Sequence, residues 1–198
     1  ATISHIDKGS ILYYQHKEDL DTIDDIAAEL EGTLAKLVVG KTYSLVYYAA
    51  PFEGAYYRAV VNEKFVHRND AVVNVDFIDY GNSAIVKTSE LRELPSKPIV
   101  QNNKGFAHRI DLAFVESITS GNEMSDNALE AINGQLVGQT FFIERRVFES
   151  ESPRRTYEIA VLYDSEKERH PFISKNFSLV AEGLLKIDEN QLQFLSSE

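Results

Sequence analysis

The sequence predicts a mainly β chain with α (α+β), in which a small β-barrel is inserted into a second domain split between the two ends of the chain. Three observations carry this. Four short apolar runs at strand spacing crowd into residues 42–87, too few for a sandwich and enough for a strongly bent sheet that closes on itself. The segment before them is too small to hold a core, and the last third would struggle to close a sheet alone. The two flanks are therefore expected to pack together, with an N-terminal portion at 1–39, the barrel at 40–99 and the remainder at 100–198.

The elements follow in order. Ile3 and His5, then Ile11, Tyr13 and Gln15, alternate around Gly9-Ser10 and read as two short strands about a turn. From Asp21 a helix is predicted, with Ile23, Ile26, Ala27 and Leu30 at helical spacing, acidic residues in the first turn where the macrodipole favours them, and Gly32 near the end. The barrel strands are expected at Tyr43 to Ala50, Tyr56 to Val61, Ala71 to Phe77 and Ser83 to Lys87. Pro51-Phe52-Glu53-Gly54, a polar stretch around Arg68-Asn69-Asp70, and Tyr80-Gly81-Asn82 separate them. Leu91 and Leu94, ahead of Pro95 and Pro98, make a closing segment. Beyond the polar linker Gln101-Asn102-Asn103-Lys104-Gly105, strands are expected at Ala107 to Phe114, Thr140 to Phe148 and Thr156 to Tyr163. Helices are expected at Ala128 to Leu136 and Phe177 to Leu185.

Composition narrows the chemistry. The 198 residues carry 31 Asp+Glu against 20 Lys+Arg, a formal charge of −11, with 43% hydrophobic and 11% aromatic residues; this is the profile of a folded acidic protein and not of a disordered one. Cysteine and tryptophan are absent, which excludes disulfides, thiolate catalysis and cysteine-held zinc or iron–sulfur centres and fits a reducing compartment. The uncharged stretch Tyr43 to Phe52 is about half the length of a bilayer span, and no basic-then-apolar leader opens the chain. A cytoplasmic protein is expected, and a start at Ala1 reads as a module of a longer chain.

Nucleotide and metal chemistry find no support. No Gly-rich loop ends in Gly-Lys-Ser/Thr, no Gly-x-Gly-x-x-Gly is present, and His5, His16, His67, His108 and His170 are scattered without helical metal-ligand spacing. No cofactor and no enzymatic activity are expected. Asn176-Phe177-Ser178 matches a glycosylation acceptor by chance. Asp24-Asp25 sits in a helix's first turn, Asp76 and Asp79 lie near one strand end, and Arg58 is the natural cross-strand partner of Asp79. Arg145-Arg146 and Arg154-Arg155 flank a hairpin and read as solvated. An acidic chain repels a polyanion and attracts a cation, so the expected ligand is positively charged.

That expectation sharpens on Pro51 to Ala59 and Val75 to Asn82, which concentrate aromatics at strand ends. A turn at Tyr80-Gly81 takes Tyr80 out of strict alternation, so that it converges with Phe77 while Phe52 and Tyr57 arrive from the neighbouring hairpin. Such rings form a cage for a delocalised cation. Arginine methylation keeps the charge, adds apolar surface and removes donors, so a cage gains from it where a carboxylate fork loses. Asn82 stands ready at the rim to accept a remaining guanidinium N–H. Phe77→Ala is expected to abolish the preference for methylated ligand while leaving the fold intact.

Tyr56-Tyr57-Arg58-Ala59, Phe77-Ile78-Asp79-Tyr80-Gly81-Asn82 and Leu91-Arg92-Glu93-Leu94-Pro95 resemble the Tudor domain in its extended form, closely over residues 40–96 and by arrangement of elements elsewhere. The resemblance implies a Tudor-type, SH3-like β-barrel inserted into a staphylococcal-nuclease-like, OB-type domain. It also implies a reader of symmetrically dimethylated arginine in Arg-Gly or Arg-Ala repeats, often in the tails of Piwi-clade Argonaute proteins, within piRNA silencing in cytoplasmic germline granules. Position by position, Phe52, Tyr57, Phe77 and Tyr80 match the aromatic walls, Asn82 matches the amide that meets the guanidinium, and Arg58 and Asp79 match positions that hold the site. Tyr56 stands where the family usually has Trp and is expected to face away from the cage. The alternatives are a scaffold that grips an unmethylated partner and a nuclease-like enzyme acting on single-stranded nucleic acid.

Overall fold

The computed structural model describes residues 1–7, 10–32, 46–62, 72–101, 104–118, 125–151, 154–167 and 169–192. The strands in chain order are β1 Thr2–Ile6, β2 Ile11–Gln15, β3 Tyr47–Phe52, β4 Ala55–Val61, β5 Val72–Phe77, β6 Ser83–Lys87, β7 His108–Leu112, β8 Val115–Glu116, β9 Phe142–Glu151, β10 Arg154–Tyr163 and β11 Lys186–Ile187. The helices are α1 Leu20–Gly32, α2 Pro98–Gln101, α3 Asp126–Leu136, α4 Lys175–Ala181 and α5 Glu189–Leu192. The chain divides into two compact units, Gln15–His108 and Ala1–Tyr14 with Arg109–Glu198. The boundaries thus fall at 14/15 and 108/109, where the sequence suggested 39/40 and 99/100. The expected turn around Arg68-Asn69-Asp70, the start of the first barrel strand at Tyr43, and the side chains of Arg154 and Arg155 lie outside the described residues.

The Gln15–His108 unit is a four-stranded antiparallel meander in the order β3-β4-β5-β6. Strict alternation along β5, with Val73, Val75 and Phe77 buried, sends one face inward against Tyr48, Ala50, Ala59, Val61, Val86 and Leu91. The closing segment behaves as expected. Arg92 forms an isolated bridge with Ala49, each residue's N–H donating to the other's carbonyl at 2.9 Å, so the chain beyond β6 returns to β3 and curls the sheet into a barrel. Helix α1 packs on this unit through Ile23, Ile26 and Leu30, which share a second cluster with Ala49, Val100 and Phe106. Its apolar stripe is what the sequence pattern showed; which surface the stripe covers depends on contacts far along the chain.

The other unit is built on a five-stranded sheet in the order β1-β2-β7-β10-β9. β9 and β10, ten residues each, form an antiparallel hairpin, and β10 runs parallel to β7 with Ile159 opposite Asp111. At the far edge Thr2 bridges Thr140, and Ile3 exchanges backbone hydrogen bonds with residues 138–139 at 2.8–3.0 Å. The edge strand β1 therefore meets the segment that leads into β9, and the sheet closes on itself. Ile3, Leu12, Ile110, Leu112, Ala160 and Leu162 fill the inside, capped by Ile132 and Leu136 of α3 and Leu179 of α4. Ile159, Val161 and Tyr163 point the other way, towards Phe114 and Phe177.

Asn176, at the start of α4, is fully buried in this unit. Its Oδ1 accepts from Leu162 N–H at 3.0 Å, and its Nδ2 donates to the carbonyls of Ala113 and Ala160 at 2.9 and 2.8 Å. An amide occupied on both ends has no room for a sugar, so the glycosylation motif is structural. Helix limits differ from expectation by a few residues, α4 starting at Lys175 and not Phe177, and two of the shifts have a visible cause. Ser125 caps α3 by accepting from Ala128 N–H at 3.3 Å, which starts the helix early; Gly183, at φ 72°, ends α4 early.

Candidate functional site

The aromatic site is assembled by two tight turns of the barrel. β3 runs through Pro51 to Phe52, which stands opposite Ala55, leaving Glu53-Gly54 as a two-residue hairpin loop with φ 47° and 89°. Two successive positive φ values are those of the turn type whose twist matches its flanking strands, and the loop is why Phe52 and Tyr57 stay close. β5 stops at Phe77. The chain then turns sharply, Tyr80 N–H and Gly81 N–H both donating to Phe77 O at 3.3 and 2.8 Å and Phe77 N–H donating to Asn82 O at 2.9 Å, with Gly81 at φ 90°. Tyr80 leaves the strand's alternation, as the sequence required.

All four predicted rings come together. Phe52 and Phe77 centroids are 5.4 Å apart, Tyr57 and Phe77 6.0 Å at 85°, and Tyr57 and Tyr80 5.1 Å at 78°. They are not equivalent. Phe52, Tyr57, Tyr80 and Asn82 are half-buried, whereas Phe77 is 1% exposed and belongs to the barrel core. Phe77 is a floor and the others stand around it. This corrects the expectation for Phe77→Ala: truncating a phenylalanine in a packed core costs about 3–5 kcal/mol, so that variant would damage the fold as well. Tyr56 faces the opposite way, packed with the α1 cluster under the Arg92 guanidinium at 5.4 Å.

Beneath the rings lies a buried ion pair. Arg58 and Asp79 are 1% and 2% exposed; Arg58 Nε donates to Oδ2 at 2.8 Å and Nη2 to Oδ1 at 2.6 Å, a two-pronged fork. Nη1 and Nη2 also donate to Val100 O and Lys104 O, each at 3.2 Å, and the guanidinium lies 5.5 Å over the Phe106 ring. Asp79 Oδ1 also accepts from Phe106 N–H at 3.3 Å. Predicted from sequence as a cross-strand pair, Arg58 and Asp79 tie the turn after β5 to the chain at 100–106. Gly105 belongs to this clamp, since an added Cβ would collide with the Ile78 carbonyl oxygen. Gln15 donates from Nε2 to Asp79 O at 2.6 Å. Sequence reasoning missed Gly105, Phe106 and Gln15; only the glycine closing a polar linker offered a hint.

The electrostatics hold the Tyr80 hydroxyl in its neutral form. Burial pushes the Tyr80 hydroxyl up to about 12, with the Tyr57 hydroxyl and the Asp79 and Asp24 carboxylates adding to the effect. The other candidate acids are otherwise occupied: Asp76 accepts from Asn62 Nδ2 at 3.1 Å and from the Ser83 hydroxyl at 2.7 Å. Of the basic pair on β9, Arg146 is engaged by Glu144 and lies over Phe114, while Arg145 lies over Tyr14. His16 and His108 meet edge to face at 4.7 Å. No group of three potential metal ligands occurs among the described residues, and no helix there is long and apolar enough to cross a membrane.

The Tudor domain family model matches residues 1–113. Among curated proteins, none matches the chain. Among solved structures, the extended Tudor domain of Drosophila melanogaster Tudor-SN (p100) superposes with a TM-score of 0.72 at 22% identity, covering 98% of this chain and 87% of that one. The extended Tudor domain TD3 of mouse TDRD1, in complex with a MILI peptide containing dimethylarginine, gives 0.67 at 20% identity, over 94% and 91% of the two chains. The extended Tudor domain of BmPAPI, in complex with sDMA, gives 0.69 at 21% identity, over 93% of each. At these identities the likeness is one of fold, and it extends over nearly the whole chain, flanks included. With the family match spanning more than half of its length, the chain belongs to the Tudor domain family, in its extended form.

Proposed function

We propose that the protein is a non-enzymatic binding module that recognises symmetrically dimethylated arginine in Arg-Gly- or Arg-Ala-rich peptides, such as the tails of Piwi-clade Argonaute proteins. Phe52, Tyr57, Phe77 and Tyr80 are its cage and Asn82 its orienting amide. The observation that carries this reading is the cluster of four touching rings, three of them half-buried around a buried fourth. A methylated guanidinium is flat, cationic and poor in donors, so ring faces attract it by about 0.5–2 kcal/mol per contact while a hydrogen-bonding site would lose. Asn82 has no side-chain hydrogen-bond partner among the described residues, leaving its carbonyl for an N–H that methylation spares. The mouse TDRD1 and BmPAPI domains hold a dimethylarginine peptide and sDMA respectively, which supports the same ligand here. A net charge of −11 favours the approach of arginine-rich tails. The setting we propose is a cytoplasmic germline granule of the piRNA pathway.

Calorimetric titration tests the reading with peptides bearing unmodified, asymmetrically or symmetrically dimethylated arginine, and with a single-stranded RNA. The symmetric form is expected to bind best, and Tyr80→Ala to weaken it about tenfold without unfolding the protein. Equal affinity for the unmodified peptide would replace the reading with a methylation-independent scaffold, and RNA cleavage would replace it with an enzyme.

A further inference from the structure

Gln15 ends β2 and is 5% exposed, and its Nε2 donates to the Asp79 carbonyl at 2.6 Å. That carbonyl belongs to the peptide unit that carries the Tyr80 nitrogen. The backbone on either side is held by other means. Ile78 N–H donates to Arg58 O at 3.2 Å, Ile78 O accepts from Ala107 N–H at 3.1 Å, and the Asp79 carboxylate is gripped by Arg58 and Phe106 N–H. These bonds fix residue 78 and the Asp79 side chain. The next peptide is held at both ends, its N–H donating to Phe77 O at 3.3 Å and its carbonyl accepting from the Gln15 amide at 2.6 Å; the shorter bond, at the carbonyl end, completes the plane from which Tyr80 leaves the chain.

We infer that Gln15 is a positioning residue of the aromatic site: by anchoring the Asp79–Tyr80 peptide it fixes where the Tyr80 ring stands against Tyr57 before any ligand arrives. A buried carbonyl deprived of its donor turns to find another, and a turn of this peptide swings the Tyr80 ring. Sites that act by shape lose binding when their supporting residues leave a wall about 1 Å loose, because the ligand must then order what the fold had already ordered. The inference rests on the methylarginine reading for the identity of the ligand, whereas the place of Tyr80 is a property of the free protein.

The experiment uses protein with isotopically labelled tyrosine, the Tyr80 resonance being assigned by its loss in Tyr80→Phe. Wild type is compared with Gln15→Met, near in shape and without a donor, and with Gln15→Asn, which keeps the amide but is one methylene too short and serves if Met prevents folding. The expected result is a displaced or broadened Tyr80 resonance in the free variants, about tenfold weaker binding of the symmetrically dimethylated peptide, and unchanged binding of the unmodified one. A Tyr80 resonance at its wild-type position overturns the inference, as does a displaced resonance with undiminished affinity. Should wild type itself show no preference for the methylated peptide, the methylarginine reading falls, and the resonance of the free protein still decides the role of Gln15.

Discussion

Each unit of this molecule closes a barrel, and the most deeply buried polar anchors of the two units are of opposite kinds. In Gln15–His108 the anchor is a charged pair, Arg58 with Asp79, whose spare protons run out to Val100 and Lys104. In the other unit it is a single neutral amide, Asn176, that stitches α4 to the backbone of β10 and to the residue after β7. The neutral anchor sits on a seam and carries nothing beyond it. The charged anchor lies directly under a turn whose aromatic residue lines the site. A buried ion pair is a poor source of net stability, since desolvation consumes most of the attraction. What it supplies here is direction: a planar fork accepts one orientation of the carboxylate, and Tyr80 follows that carboxylate in sequence.

The contrast can be broken in several ways. Arg58→Met should have the largest effect, about 3–5 kcal/mol in denaturant melts, because it leaves the Asp79 charge buried and unpaired. Arg58→Met with Asp79→Leu should regain much of that stability and little peptide affinity, which separates holding the fold from aiming the turn. Asn176→Ala should cost about 3 kcal/mol, since Leu162 N–H and Ala113 O lose a buried partner while Ala160 O keeps only Ala113 N–H, and should leave peptide affinity unchanged in whatever protein remains folded. Gly105→Ala should cost about 2 kcal/mol, because the Ile78 backbone must shift to admit the Cβ, and should also weaken peptide binding through that shift.

The smallest effect is in alkali. The Tyr80 hydroxyl is raised in the folded state to about 12, so it contributes fully at pH values below the ordinary tyrosine range near 10. Between about 10 and 12 the unfolded chain gives up its proton first, and stability falls as the pH rises. Tyr163, also raised to about 12, adds to the same slope. Urea melts across this window should slope less steeply in Tyr80→Phe than in wild type.

What the sequence disclosed of this arrangement, and what it hid, follows from how far each contact reaches along the chain. The barrel strands and the convergence of Phe52, Tyr57, Phe77 and Tyr80 were legible because alternation and turn residues act within a few positions. Arg58 with Asp79 was legible as a cross-strand pair. The N-terminal strands were harder: in Ile11-Leu12-Tyr13-Tyr14 both parities are apolar, and the structure buries Leu12 and Tyr14 where alternation suggested Ile11 and Tyr13. Strands β8 and β11, two residues each, are too short to show a period. Gln15 and Phe106 work through partners 64 and 27 positions away, a distance at which no local pattern speaks.

The occupied amide of Asn176 also has a practical consequence. An oligosaccharide added to it during translocation into the endoplasmic reticulum would forestall the hydrogen bonds that fasten α4. Secretory hosts should therefore yield misassembled protein unless Ser178 is replaced, while a host that adds no sugar there should leave the Asn176 bonds free to form.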